Sequence, residues 1–366
     1  MNRRKAKPAG TTKTSAIFAE LRKDILGGHY VASKFPSERL LMRRFGVSRM
    51  LVRNVLSQLK SDGLLAARQG KGTFVPPHAK RMSERLGFII PGIGREEFFS
   101  PICTMLVSHA QRKGFTPVFA DLAAPSPRGR YRMVELAVQE FIDQKVSAVA
   151  YQPLDFLSDS PTKNAEMLER FRCADVPVIL FDYDIVPRPD RSQFDLVCAD
   201  NLNAGWVLGR HLIERGAARI AFLMRDNWAF SVFDRRAGLE LAAREGGRPF
   251  AVTHVEPSDA AGVAALLRRR DAPDAIVCGN DLLAASLLKT LQSLDVRVPE
   301  EVMVAGFDDS PAASSAEPSL TTMHLPTNAL ATSLFEVMMI RMRNPTLPFA
   351  EMTHHAWLVP RVSTAR

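Results

Sequence analysis

The sequence predicts an α/β protein in two unequal parts: a small helical head with a two-stranded tip, then a long body of two parallel-sheet lobes. Three observations predict it. The first 85 residues carry 19 Lys and Arg against 5 Asp and Glu, whereas the other 281 carry 29 against 34, so a basic head precedes a slightly acidic body. In the head, apolar residues recur at three- and four-residue spacing, the period of a helix docked on one face. In the body, short β-branched runs alternate with longer amphipathic segments, as in parallel sheets covered on both faces by helices.

Length and composition narrow the class. At 366 residues the chain exceeds one ordinary domain. No stretch approaches the roughly 20 continuous apolar residues that span a bilayer. No apolar segment follows Arg3, Arg4, Lys5 and Lys7, so residues 1–13 read as a basic arm and not as a signal peptide. Cys103, Cys173, Cys198 and Cys278 lie far apart, each in an apolar run. They read as buried small hydrophobes of a reducing compartment, the cytoplasm, with neither zinc spacing nor a disulfide framework.

The head, residues 14–76, opens with a helix from Ser15 to Leu26, stopped by Gly27-Gly28. Ser37 stands at the N-cap of a second helix through Leu40, Leu41 and Arg44. Phe45-Gly46-Val47 turns the chain, and Ser48 caps a third helix to about Asp62. Val52, Val55, Leu56 and Leu59 share one face of that helix; Arg49, Met50, Arg53, Asn54 and Ser57 share the opposite one. Helix, short turn, helix is the geometry that lays a second helix in the major groove of DNA. Leu64–Arg68 and Thr73–Val75 follow as two short strands around Gln69-Gly70-Lys71-Gly72, a wing suited to the minor groove.

The run from Phe35 to Val75, FPSERLLMRRFGVSRMLVRNVLSQLKSDGLLAARQGKGTFV, resembles the winged helix of the GntR family of bacterial transcription regulators. The resemblance implies DNA contact by Arg39, Arg49 and Arg53, with Gly70 and Lys71 entering the minor groove. Ser48 and Met50, at the start of the third helix, complete the candidate set. Leu51 replaces the threonine usual between the serine-arginine and valine-arginine pairs, removing one polar contact. Arg43 and Arg44 suit a solvated surface equally well.

Pro76 to Arg85 is polar and led by prolines, a linker over residues 77–85. Beyond it, strands are expected at 86–90, 116–120, 148–151 and 176–181, with helices near 99–113, 128–143 and 162–173. The pattern restarts with strands at 219–223, 250–252, 275–278 and 302–305 and helices near 202–215, 233–245, 259–270 and 281–293. Ligands of open α/β sheets sit beyond the carboxyl ends of the strands. Those ends carry Gly92 to Phe99, Tyr151-Gln152, Asp182-Tyr183-Asp184, Asn280-Asp281 and Asp308-Asp309. Acids, amides and rings suit a polyhydroxylated ligand.

Val197-Cys198-Ala199-Asp200-Asn201, Ala204-Gly205, His211-Leu212-Ile213-Glu214-Arg215-Gly216, Asp234-Arg235-Arg236-Ala237-Gly238, Gly279-Asn280-Asp281, Val298-Pro299-Glu300-Glu301-Val302, Gly306-Phe307-Asp308-Asp309 and Leu320-Thr321-Thr322 stand in this order. Together they resemble the effector domain of LacI/GalR-type regulators, relatives of periplasmic sugar-binding proteins, over residues 86–362. The resemblance implies a first lobe at 86–184 and 325–343, a second at 192–322 and 345–362, and hinge crossovers near 185–195 and 320–330. Asp182, Arg235, Asn280 and Asp308 would line the cleft, with Phe98, Phe99 and Tyr151 as ring platforms. Asp200-Asn201 are read as capping residues, and Asp309 as a turn cap. Leu325 stands where many relatives carry a ligand-facing glutamine, and residues 92–97 lack the usual aspartate/asparagine pattern. The chain lacks the hinge-helix sequence that LacI relatives place between DNA head and body.

The joined parts predict a sequence-specific transcriptional regulator, a repressor in the first reading. It would act as a homodimer on a palindromic duplex-DNA operator, controlled by a small molecule, most simply a sugar. A nucleobase or phosphorylated metabolite as effector, or activation in place of repression, are the alternatives. An α/β enzyme is remote: no strand–G-x-G-x-x-G–helix, no G-x-x-x-x-G-K-S/T and no G-x-S-x-G elbow occurs. No catalytic residue, cofactor or membrane partner is assigned. His211, His354 and His355 lack metal-ligand spacing and read as structural.

Overall fold

The computed structural model describes residues 13–26, 29–30, 35–68, 72–76, 85–90, 98–124 and 126–366. The arm 1–12, the wing tip with Gly70 and Lys71, linker residues 77–84 and loop 91–97 lie outside the described residues.

The head is built from α1 (Lys13–Leu26), α2 (Glu38–Phe45), α3 (Arg49–Ser61) and the antiparallel pair β1 (Ala66–Arg68) and β2 (Gly72–Phe74). The serines act as read: Ser37 Oγ accepts from Leu40 N and Ser48 Oγ from Leu51 N. Gly46 ends α2 at φ 61°, a left-handed conformation that favours glycine. Ile17, Leu21 and Ile25 of α1 meet Leu41 of α2 and Val52, Val55, Leu56 and Leu59 of α3 in one core. Arg44 ties the head together, bonding Glu20, Asp24 and the Tyr30 hydroxyl at 2.7–2.8 Å.

The body is two six-stranded sheets. In the first lobe, β3 (Arg85–Ile89), β4 (Thr116–Phe119), β5 (Val149–Tyr151) and β6 (Val178–Phe181) alternate with α4 (Phe99–Arg112), α5 (Pro127–Asp143) and α6 (Ser160–Cys173). β7 (Asp195–Ala199) follows and is the last strand before the chain leaves this lobe. The second lobe holds α7 (Asn201–Glu214), β8 (Ile220–Leu223), α8 (Phe230–Glu245), β9 (Phe250–Thr253), α9 (Ala260–Leu267) and β10 (Ala275–Cys278). It continues through α10 (Asp281–Ser293), β11 (Met303–Asp308), α11 (Pro311–Ser315) and β12 (Thr321–His324). The chain then returns to the first lobe as α12 (Thr327–Arg343) and β13 (Glu351–His354), and ends in the second as β14 (Trp357–Val359) and a 3-10 turn at Val362–Thr364. The sheet orders are β13-β7-β6-β5-β3-β4 and β14-β12-β11-β10-β8-β9, parallel except for β14.

Two expectations are corrected here. Asp195–Ala199 and Glu351–His354 pair with the first sheet, β7 on β6 and β13 on β7, and so do not belong to the second lobe. The first crossover therefore falls between Ala199 and Asn201, not at 185–195. The second lies between His324 and Thr327, and the third, which the expected lobe bounds put at 343–345, lies between His354 and Trp357. Cys173, expected to be buried, is exposed at the end of α6, whereas Cys103, Cys198 and Cys278 are buried.

Glycines set the geometry of the second lobe. A Cβ on Gly205 of α7 would strike the carbonyl of Arg235, and one on Gly238 of α8 the carbonyl of Leu202. The two helices thus pack backbone to backbone, which fixes where Arg235 stands. On the first lobe, Arg341 of α12 makes a buried two-pronged ion pair with Asp195 at 2.7 and 2.9 Å and caps the carbonyls of Pro345, Leu347 and Pro348.

Head and body share one apolar core and two polar contacts. Arg22 of α1 donates to the Gly114 carbonyl and lies 4.5 Å over the Phe115 ring. Arg343, the last residue of α12, stands 3.4 Å from Asp62 and presses its stem on Gly63.

The Arg341→Ala variant should lose about 3–5 kcal/mol of stability in urea unfolding, because it leaves the Asp195 carboxylate buried and unpaired. A second expectation concerns pH. His211 Nε2 lies 2.8 Å from Thr364 Oγ1, sewing the C-terminal turn onto α7, and burial with the nearby Arg215 charge holds the imidazole below its usual pKa of 6.5. A depressed folded pKa means that this contribution is whole above 6.5 and is lost as pH falls through the folded value. In acid titrations of thermal stability, His211→Asn should therefore flatten the fall below pH 6.5 relative to the wild type.

Candidate functional site

The candidate residues gather on two surfaces: one face of the head and the cleft between the lobes. On the head, Arg39, Ser48, Arg49, Met50 and Arg53 are all exposed. Arg49 and Arg53 point away from the apolar face of α3, with side chains 71% and 69% exposed. The Glu38 carboxylate sits between them, 2.9 Å from Arg49 and 3.9 Å from Arg53. Arg44 is bonded to Glu20 and Asp24 of α1 and to the Tyr30 hydroxyl.

The cleft encloses about 330 Å³ where the carboxyl ends of the two sheets face each other. From the first lobe come Phe98 and Phe99 at the start of α4, Arg130 in the first turn of α5, Gln152 to Phe156 after β5, and Asp182 after β6. From the second come Arg225 and Trp228 after β8, Ser231 and Arg235 on α8, Gly279-Asn280 after β10, Asp308 at the end of β11 and Ser310 after it.

Arg235 is the most fixed of these. It is 5% exposed and donates Nε to Asn201 Oδ1 at 2.8 Å and Nη1 to the Gly279 carbonyl at 2.7 Å. Its Nη2 is 3.4 Å from Asp308, and its guanidinium lies 4.8 Å over the Phe307 ring. Asp182 and Asp308 hold φ of 75° and 109°, uncommon for residues with a side chain and typical of positions whose backbone is set by a site. Ser231 Oγ lies 3.5 Å from Asp182, so these two lobes meet through a hydroxyl and a carboxylate. Asn280 caps α10 with its carbonyl oxygen on Leu283 N at 3.0 Å. Below it, burial pushes the Asp281 carboxyl up to about 7 against the opposing hydrogen bonds from Thr322 and Ser310.

Rings supply apolar walls. Phe98 and Phe99 meet edge to face at 4.9 Å, and Phe156 of one lobe faces Trp228 of the other at 6.1 Å. Beside the cleft, Arg188 bridges the lobes, 2.9 Å from Asp234 on α8 and 2.6 Å from Glu351 on β13. At the second crossover, Asp309 is bonded to His324 at 2.8 Å and Arg361 at 2.6 Å, a larger role than the turn cap expected of it.

Phe98, Phe99, Asp182, Arg235, Asn280 and Asp308 thus stand together around the cavity. Tyr151 does not. It is fully buried in the first lobe, its hydroxyl bonded to Asn164 at 2.8 Å, because the last residue of β5 faces the α5–α6 layer and Gln152, next in sequence, reaches the cleft. Leu325 is buried in the second-lobe core. Asn201, set aside as a cap, is a buried partner of Arg235, while Asp200 does cap α7. Arg130, Phe156, Trp228 and Ser310 come from loops or first turns, where periodicity carries no signal. Gly70, Lys71 and residues 92–97 fall outside the described residues. Among the described residues no cluster of His, Cys, Asp and Glu suits a metal ion, and no helix is long and apolar enough to cross a membrane.

Comparison with known proteins agrees with this geometry. Residues 13–75 match the family model for bacterial regulatory proteins of the gntR family, and residues 210–364 the model for a periplasmic binding protein-like domain. The arabinose metabolism transcriptional repressor of Halalkalibacterium halodurans is 26% identical over 333 residues, 86% of this chain and 85% of that protein, a span too long for the body alone. The HTH-type transcriptional repressor PurR of Vibrio atlanticus is 26% identical over 253 residues, 68% of this chain and 71% of that one. Among solved structures, the transcriptional regulator CelR–cellobiose complex superposes with a TM-score of 0.64 at 21% identity, over 90% of this chain and all of that one. A periplasmic binding protein/LacI transcriptional regulator from Alkaliphilus metalliredigens complexed with D-xylulofuranose gives 0.62 at 21% identity, over 78% and 100%. These findings define a class, a winged-helix DNA-binding domain fused to a two-lobed periplasmic-binding-protein-like effector domain. The chain is a DNA-binding transcriptional regulator of that class.

Removing the amide that holds Arg235 tests how the cleft is built. Asn201→Ala should cost about 1–3 kcal/mol in urea unfolding, the penalty for an unsatisfied buried group; an unchanged midpoint would mean that Arg235 finds another acceptor.

Proposed function

We propose that the chain is a homodimeric repressor with a GntR-type head and a LacI/GalR-type body, acting in the cytoplasm on a palindromic operator and controlled by a polyhydroxylated effector, most simply a sugar. The observation that carries this reading is the cleft: carboxylates, an amide, a fixed guanidinium and aromatic rings converge from two lobes joined by three crossovers. Carboxylates and amides suit hydroxyls, and rings suit the apolar face of a sugar. The cellobiose and xylulofuranose held by two structural neighbours, and the arabinose-metabolism role of one relative, support the same class of ligand.

In this reading α3 enters the major groove, with Arg39, Ser48, Arg49, Met50 and Arg53 on the DNA and Gly70 and Lys71 at the wing tip. Two heads on a two-fold axis match two half-sites. Phe98, Phe99, Asp182, Arg235, Asn280 and Asp308 form the effector site. A ligand that binds one lobe arrangement better shifts the equilibrium, worth about 1–3 kcal/mol of coupling to DNA affinity. The route to the head includes α12, which starts at the second crossover and ends with Arg343 against Asp62.

Two measurements test the reading. By fluorescence anisotropy at 0.15 M salt, a commonly used condition near physiological ionic strength, Arg49→Ala should weaken specific operator binding by at least about 1 kcal/mol. Equal affinity would remove α3 as the reading helix. Asp182→Asn keeps a residue that tolerates φ 75° but replaces an acceptor-only carboxylate. It should leave operator binding intact and weaken effector response by about 1–3 kcal/mol.

A further inference from the structure

We infer that the effector carries an acidic group, a carboxylate or phosphoryl group, and that Arg130 recognises it. The inference rests on the reading of the cleft as the effector site. Three arginines line the cavity. Arg235 is taken by Asn201, Gly279 and Asp308, and Arg225 pairs with Glu256 at 2.9 Å. Arg130 forms no ion pair among the described residues, and its Nε is shielded from solvent with no hydrogen-bond partner. A guanidinium nitrogen so placed has lost hydration without gaining an acceptor.

Its helix offers no compensation. Arg130 stands in the first turn of α5, where a cation faces the positive end of the helix dipole, and that turn contains no acidic residue. An anion in the cavity relieves both deficits. Carboxylate and phosphoryl oxygens both accept paired bonds from the guanidinium fork.

A second unpartnered group faces the same cavity from the other lobe. Ser310 is 7% exposed, and its backbone N–H is held by Asp281 at 2.9 Å, yet its hydroxyl has no partner among the described residues. One ligand with an acid group at Arg130 and a polar oxygen near Ser310 satisfies both lobes at once. A neutral sugar leaves the Arg130 charge as it is.

The test is calorimetric titration of the full-length protein with matched neutral and acidic probes. These are ribose against ribonate and ribose 5-phosphate, and glucose against gluconate, glucuronate and glucose 6-phosphate. At least one acid should bind tenfold or more tightly than its neutral partner. That preference should disappear in Arg130→Gln and survive in part in Arg130→Lys, whose retained charge also serves as the folding control. The carboxylate and phosphate arms tell the two acid types apart. Neutral sugars binding as tightly as their acids, or an acid preference that persists in Arg130→Gln, overturns the role of Arg130 and leaves the cleft as effector site. Acid binding unchanged in both Arg130→Gln and Asp182→Asn lies outside the cleft and also overturns it. Failure of every neutral and acidic probe to bind counts against this inference and the cleft reading together.

Discussion

The cleft depends on one buried guanidinium. Arg235 comes from α8, its acceptors from the start of α7, the end of β10 and the end of β11, and its flat face rests on Phe307. Four separate segments of the second lobe are thereby held at one point. A buried arginine is tolerated only when its donors are met by well-placed acceptors. Here that requirement reaches back to glycine: Gly205 and Gly238 let α7 and α8 approach closely enough for Asn201 to meet Arg235. The rigid wall of the site thus follows from backbone packing about one turn away from it.

The first lobe contributes a different kind of wall. Its lining comes from loops and first turns: Phe98 beside Phe99, the stretch Gln152 to Phe156, and Asp182 in a left-handed conformation. Where the lobes touch, the contacts are small and separable. Phe156 meets Trp228, Ser231 meets Asp182, and Arg188 reaches Asp234 while also holding Glu351 on its own sheet. Partly exposed ion pairs and a tilted ring pair each contribute little. Such contacts suit surfaces that part and rejoin, in contrast to the locked guanidinium behind them.

Much of this was legible in the sequence, for local reasons. Ser37 and Ser48 announce helix starts because an N-cap is a property of a few adjacent residues, and the apolar face of α3 follows from spacing alone. The seven helices predicted for the two lobes fall within a few residues of their observed spans for the same reason, whereas α11 and α12 were not read as helices. What sequence could not carry was non-local. β13, Glu-Met-Thr-His at a sheet edge, has almost no apolar pattern, and β7 belongs to the first sheet only because of the strand it bonds to. Tyr151 was misplaced because a sheet covered on both faces buries every residue of its strands, so alternation does not show which side a ring faces. Asn201 looked like a cap because its partner is 34 positions away.

The same distinction between local and non-local contacts bears on how head and body are joined. The proline-led segment after Val75 reads as a linker between them. Yet Arg22 is buried against Gly114 and Phe115, and Arg343 sits on Asp62 and Gly63, so the head also rests directly on the ends of α4 and α12. Those two helices pack on each other along the first lobe. α4 begins at Phe98 and Phe99 in the cleft, and α12 begins at the second crossover. The Arg341–Asp195 pair ties the far end of α12 to β7, the strand that leads into the first crossover. α12 therefore cannot swing independently of the first lobe. The head is seated on a unit that includes one wall of the cleft, and motion of the second lobe acts on that unit through the three crossovers.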